Sequence, residues 1–257
     1  MMKPHKVRDK LRLDTALFEG GLVQSREKAR AVIMAGLVLV NGERIEKAGF
    51  RVAETDNLEV ISPPHPYVSR GGAKLEKALD DFGYDAREKV ALDVGASTGG
   101  FTDCLLNHGA RKVYALDVGY GQLAWNLRSD PRVVPMERTN IRHTTPDAFP
   151  DPIDLSVIDV SFISLSLVLP NVFKILVPEG CAIALIKPQF EVGKNDVGKG
   201  GVVRDPKKHH RAIDSVAAAA RTAGFIVKDT CTSPLKGPKG NTEFFIYLHK
   251  PLETVNA

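Results

Sequence analysis

The stretch that most narrows what this chain can fold into is Val90–Gly100, Val-Ala-Leu-Asp-Val-Gly-Ala-Ser-Thr-Gly-Gly. Its first half is apolar enough for a strand buried on both faces. Its second half is made of small residues and closes in Gly99-Gly100. Phe101-Thr102-Asp103-Cys104-Leu105-Leu106 follows, with apolar positions at helical spacing. Strand, glycine loop and helix in that order make the ligand-binding turn of a doubly wound α/β sheet. Glycine lets the backbone approach a ligand, and the helix N-terminus offers free N–H groups.

A second apolar run, Val113 to Leu116, ends in Asp117, about twenty residues past the loop. A carboxylate there suits a pair of ribose hydroxyls. The loop itself reads D-x-G-x-x-x-G-G, with Ser97 where a dinucleotide fingerprint would have glycine. It lacks the close glycine pair that a pyrophosphate needs, so an adenosine ligand without phosphates fits better. S-adenosylmethionine is such a ligand, with its ribose on Asp117 and its amino-acid end on the loop and Asp93.

The 257 residues suffice for one medium and one small domain. A net charge of +4 permits a nucleic acid partner without demanding one. The charge is uneven: Lys3–Arg30 holds eight Lys or Arg against four acids, and Lys187–Arg211 seven against three. Two separated basic stretches say more than the total. Cys104, Cys181 and Cys231 stand singly in apolar surroundings, so no disulfide framework and no metal site is expected. The N-terminus lacks the apolar core of a secretory signal, and no run reaches the roughly eighteen apolar residues of a membrane span. A cytoplasmic protein is expected.

Residues 1–61 read as a small α+β unit. Arg12-Leu13-Asp14 opens a helix with Leu17 and Phe18 on its apolar face, and Gly20-Gly21 stops it. Ser25 caps a second helix, Arg26 to Ala35, with Arg26, Lys28 and Arg30 on its basic face. Leu37–Val40, Asn41-Gly42 and Glu43–Ile45 read as a hairpin, and Phe50–Val52 and Leu58–Ile61 as further strands. Residues 62–69 read as a linker, stiffened by Pro63, Pro64 and Pro66.

Residues 70–257 alternate strand and helix. A helix runs from Ala73 to Phe82, with Lys74 in its first turn, where the helix dipole disfavours a cation. Strands follow at Val133–Met136, at Asp154–Val160 with Asp159 near its end, and at Cys181–Ile186 with Lys187 next. One helix is expected from Ser164 to Leu176 and another from Lys207 to Ala223. The last strands, Phe225–Lys228 and Glu243–Leu248, are joined by a loop alone. This pattern predicts a mostly parallel sheet with one antiparallel strand. Asp93, Asp117, Asp159 and Lys187 then share the C-terminal edge of the sheet, where such folds bind ligands. Methyl transfer to a ribose hydroxyl needs alignment and help with proton loss. A lysine can take the proton or stabilise the alkoxide, and Asp159 can orient it.

Two resemblances extend this reading. Arg12-Leu13-Asp14, Gly21-Leu22, Ser25-Arg26, Ala29, Gly36 and Val40-Asn41-Gly42 resemble the RNA-binding module of a small-subunit ribosomal protein. That likeness implies RNA contacts through Arg12, Ser25, Arg26, Lys28 and Arg30. Ser-Arg-Gly-Gly-Ala-Lys-Leu, Ile-Asp-Val-Ser-Phe-Ile-Ser-Leu, Leu-Ile-Lys-Pro-Gln-Phe-Glu and Gly-Asn-Thr-Glu-Phe-Phe resemble the motifs of FtsJ-like ribose methyltransferases. The likeness implies a Rossmann-like class I methyltransferase fold and a catalytic tetrad of Lys74, Asp159, Lys187 and Glu243. It also implies cofactor contacts at Asp93, Gly95, Ser97, Thr98, Gly99, Gly100, Asp117 and Val118, and at Asn140 beside the adenine. The whole chain resembles the TlyA family, which implies 2′-O-methylation of a cytidine in rRNA, with rRNA or ribosomal subunits as partners. The family is also known as haemolysin A. A membrane-active haemolysin and a non-enzymatic assembly factor are the competing readings. The absence of a span and of a long apolar amphipathic helix opposes the first. Four charges at the tetrad positions oppose the second.

Overall fold

The computed structural model describes residues 10–252 apart from 24, 35, 62–65 and 194–195, so the first half of the expected linker lies outside the described residues. The chain divides into two compact units between Pro66 and Tyr67.

The first unit opens with β1 (Leu11–Arg12) and α1 (Leu13–Glu19), followed by α2 (Arg26–Met34). Then come β2 (Val38–Val40), β3 (Glu43–Arg44), β4 (Arg51–Val52) and β5 (Leu58–Val60). Ser25 caps α2 as expected: its Oγ accepts from the Lys28 amide at 3.1 Å. The β2–β3 hairpin turns on Asn41 and Gly42, both at positive φ, which suits the right-handed twist of the strands. Leu13, Leu17, Ala29, Ile33, Val38 and Val52 form the core. Phe18 does not join it. It is 43% exposed, because α1 starts at Leu13 and the Leu13–Leu17 repeat already faces α2.

The second unit begins with α3 (Arg70–Phe82), β6 (Val90–Val94), α4 (Gly100–Asn107), β7 (Lys112–Leu116), α5 (Trp125–Arg128) and β8 (Val133–Met136). It continues with β9 (Ile153–Ile158), α6 (Leu169–Ile175), β10 (Leu176–Ile186) and α7 (Pro188–Glu191). α8 (Pro206–Ala223), β11 (Ile226–Thr232) and β12 (Phe244–His249) complete it. The strands form one seven-stranded sheet in the order β11-β12-β10-β9-β6-β7-β8. Only β12 runs against the rest. Val90, Leu92 and Val94 pack toward α6 and α8, and Ala91 toward α3 and α4, so β6 is buried on both faces.

Several bounds differ from the sequence expectation. α3 starts at Arg70, which moves Lys74 out of the first turn. The helix expected over 164–176 is a 3₁₀ turn, Leu165–Leu167, and then α6. Pro170 lacks an amide hydrogen and fits only near a helix start, so the helix begins at Leu169. β10 starts five residues early, at Leu176, and carries an irregularity before Cys181.

Gly99 fixes the junction of loop and α4. Its φ is +96°, and a Cβ there would lie 2.3 Å from Leu127 Cδ1 and 2.8 Å from Leu123 Cδ1. Both the backbone angle and the leucines oppose a side chain. Gly99→Ala is expected to cost about 2–4 kcal/mol, measured as a lower urea midpoint at unchanged slope.

Candidate active site

Strand register sets the site. Val94 pairs with Leu116 on one side and Ile158 on the other, and Ile158 pairs with Ala184. Asp117 and Asp159 therefore follow directly on aligned strand ends. In the antiparallel pair Ile186 lies opposite Phe244, which brings Lys187 beside Glu243. One cleft is lined by Ser69, Arg70 and Lys74 of the α3 start, by loop residues Gly95 to Thr98, by Gly100 and Phe101, and by Asp159, Lys187 and Glu243.

The four charged residues named from sequence stand as two ion pairs. Lys74 Nζ donates to Glu243 Oε2 at 2.6 Å, and both side chains are buried. Lys187 Nζ lies 2.5 Å from Asp159 Oδ1 and donates to Ser161 Oγ at 2.8 Å. Glu243 lies against Gly237, where a Cβ would sit 2.0 Å from Oε1. Glu243 Oε1 has no hydrogen-bond partner among the described residues.

The loop is tied to both acids. A Cβ on Gly95 would lie 2.6 Å from the Asp159 carbonyl oxygen, so loop and strand end touch backbone to backbone. The Asp159 amide donates to the Val94 carbonyl at 2.9 Å. Ser97, at φ +50°, donates its amide to Asp117 Oδ2 at 2.8 Å, and the Gly119 amide donates to Oδ1 at 2.7 Å. Gly100 meets Ser69, whose Oγ would be 2.2 Å from a Cβ there. Packing as well as ligand approach thus accounts for Gly95, Gly99 and Gly100.

Asp93 is fully buried beneath the loop. Thr102 Oγ1 donates to its Oδ2 at 2.6 Å, and its Oδ1 has no hydrogen-bond partner among the described residues. Burial pushes its carboxyl up to about 7, against the Thr102 hydrogen bond.

Not every residue named from sequence lines the cleft. Val118 is 70% exposed beyond the end of β7. Asn140 is exposed, and its Oδ1 accepts from the Arg142 amide, capping a 3₁₀ turn over Ile141–His143. In the first unit Arg12, Arg26 and Arg30 gather on Asp14, while Ser25 is engaged as a helix cap and Lys28 is exposed. The reading of residue types also passed over Ser69, Arg70, Phe101 and Ser161. It passed over a second pocket as well, which shares Lys187 and Glu243 with the cleft and includes Phe162, Gln189, Phe190 and Lys239. Phe162 is 91% exposed, with its ring centroid 5.1 Å from that of Phe190. One signal was available: each phenylalanine follows a charged cleft residue, Asp159 or Lys187, by three positions.

The model of the FtsJ-like methyltransferases matches residues 67–250. The chain belongs to the FtsJ-like methyltransferase family. Residues 11–58 match the S4 domain. The chain is 47% identical over 238 residues to the 16S/23S rRNA (cytidine-2′-O)-methyltransferase TlyA of Mycobacterium tuberculosis, covering 92% of this chain and 89% of that one. It is 44% identical over 238 residues to Hemolysin A of Brachyspira hyodysenteriae, covering 92% and 99%. A solved structure from Streptococcus thermophilus is 45% identical, with a TM-score of 0.75 over 95% of this chain and 89% of that one. No described helix is long and apolar enough to cross a membrane.

The family binds S-adenosylmethionine, and the residues present fit it. Each Asp117 oxygen already accepts one amide and keeps a lone pair for a ribose hydroxyl. The Asp93 carboxylate beneath the loop still has an unpaired oxygen.

The raised Asp93 carboxyl has a definite consequence for stability. A folded-state value above the unfolded one means that the native protein holds the proton more tightly. Its contribution is therefore full below about pH 4 and is lost as pH rises toward about 7. Asp93→Asn is expected to flatten the fall in unfolding free energy across that window, measured by urea titrations at several pH values. An unchanged slope would contradict the assignment.

Proposed function

We propose that this chain transfers a methyl group from S-adenosylmethionine to the 2′-hydroxyl of a cytidine in rRNA. The observation that carries the reading is the single cleft in which the glycine loop faces two lysine–carboxylate pairs. The names of the relatives support rRNA as substrate and cytidine as target. Such a role belongs in the cytoplasm, with the ribosome.

The cofactor, when bound, supplies a methyl group already activated as a sulfonium. Asp117 would hold its ribose, and the loop from Gly95 to Gly100, with Asp93 below, its amino-acid end. Lys187 would face the hydroxyl, as an ammonium that holds the alkoxide left behind, or, in its neutral amine form, as the base that takes the proton. Asp159 and Ser161 fix the Lys187 ammonium from behind. Lys74 and Glu243, paired and buried, line the cleft beside Lys187 and keep the local charge balanced. The exposed Phe162 ring beside Lys187 offers a nucleobase a stacking face, which would bring the attached ribose to the lysine. The S4 unit would grip the RNA backbone through Arg12, Arg26, Lys28 and Arg30.

The test is transfer of labelled methyl to isolated small and large ribosomal subunits. Lys187→Ala is expected to lower the rate by about 10²-fold or more, while S-adenosylmethionine affinity changes by less than about tenfold. Undiminished transfer by the variant would remove Lys187 from the mechanism. Absence of transfer to either subunit by the unaltered protein would contradict the reading as a whole. Phe162→Ala is expected to raise KM for the subunit by about tenfold and to leave cofactor affinity unchanged, as read by calorimetry.

A further inference from the structure

We propose that Asp14 is a positioning residue for RNA binding, whose buried carboxylate holds the guanidinium groups of Arg12, Arg26 and Arg30 in one fixed cluster on the first unit. The inference rests on reading that unit as RNA-binding. Asp14 has no solvent exposure, whereas the three arginine side chains are 44%, 49% and 54% exposed. Arg12 closes on it as a fork, Nε to Oδ1 at 3.0 Å and Nη2 to Oδ2 at 2.9 Å. Arg30 reaches across from α2, Nε to Oδ2 at 3.1 Å. Arg26, one helical turn before it, brings Nη2 to 3.9 Å from the same oxygen.

The stoichiometry argues against a purely structural role. One buried carboxylate needs one cation beside it, and among the described residues three close on Asp14. The surplus is two positive charges, held at the surface. Half-exposed ion pairs contribute little to stability, and the core of the unit is already supplied by its leucines, valines and Ile33. A guanidinium has five donors in a rigid fork, so binding Asp14 by one edge leaves another edge for a phosphate. The neighbouring surface leaves room for this arrangement. Gly49 lies under Arg12, and a Cβ there would sit 3.3 Å from Nη1.

The physical gain is order imposed before binding. A free arginine side chain loses rotamer freedom when it grips a phosphate. Here much of that freedom is already lost on folding, so less is lost on association. This sets positioning against simple attraction. Asp14→Asn raises the net charge by one, and Coulomb attraction alone would tighten binding to a polyanion. Positioning requires weaker binding.

The experiment is equilibrium binding of the full chain to isolated small and large ribosomal subunits, with Asp14→Asn and Arg12→Lys beside the unaltered protein. Circular dichroism checks folding, and S-adenosylmethionine affinity checks the second unit. The expected result is about tenfold weaker binding for Asp14→Asn, with KM for the subunit raised and kcat at saturation unchanged. Arg12→Lys, which keeps every charge and loses the fork, should weaken binding similarly. Equal or tighter binding by a folded Asp14→Asn overturns the proposal. If Asp14→Asn does not fold, Arg12→Lys decides: weakening supports the proposal, and unchanged affinity overturns it. If Arg26→Ala and Arg30→Ala weaken binding while Asp14→Asn does not, the RNA-binding reading stands and the positioning role falls. No binding by the unaltered protein removes both.

Discussion

The buried ion pair between Lys74 and Glu243 is the constraint to which the rest of the second unit answers. Neither group tolerates this position alone, since removing one partner of a buried pair costs roughly 3–5 kcal/mol. The pair joins α3, at the start of the unit, to the residue preceding its last strand. It therefore fixes the end of β12 against α3, and the register of β12 on β10 then sets Lys187 beside Glu243. An apolar pair of similar volume would hold the same elements at no greater cost. Ions at this point are better explained by what faces them across the cleft than by stability. The same holds for Lys187 and Asp159, which β10 and β9 deliver to the same sheet edge.

The glycine loop shows how packing and binding can demand the same residues. Gly95 admits the backbone of Asp159, Gly99 admits Leu127 of α5 and Leu123 just before it, and Gly100 admits Ser69 before α3. The contacts at Gly95 and Gly100 draw elements that carry cleft residues toward the loop, and the contact at Gly99 packs α5 against it. A side chain at any of these positions would disturb the geometry of the cleft before it touched a ligand. The mildly strained Ser97 stands at the centre, where its amide fastens the loop to Asp117.

Much of this architecture was legible in the sequence, for physical reasons. Parallel strands buried on both faces leave long apolar runs, and charges at their ends mark the ligand edge, so Asp117, Asp159 and Lys187 could be placed from pattern alone. That one strand runs antiparallel followed from the helix-free link between the last two; that it is β12 rather than β11 is set by its pairing with β10. Lys74 was conspicuous as a cation near a helix start, but its partner lies far along the chain and no local rule pairs them. The exposure of Phe162 was hidden for a similar reason, because a phenylalanine next to an apolar strand reads as core. Phe18 was misplaced because helical spacing does not state which apolar residue the neighbouring helix covers. The break at Pro170 illustrates a proline overriding an otherwise continuous apolar pattern.

The central claim is that the cleft serves a ribose oxygen rather than a base. The most direct measurement is where the methyl group lands. Ribosomal RNA labelled by the full chain with S-adenosylmethionine would be hydrolysed in alkali, which cleaves beside a free 2′-hydroxyl and spares the bond beside a methylated one. The label is expected to survive in an alkali-resistant dinucleotide whose 5′ nucleoside is 2′-O-methylcytidine. Label recovered in mononucleotides, as a methylated base, would contradict it.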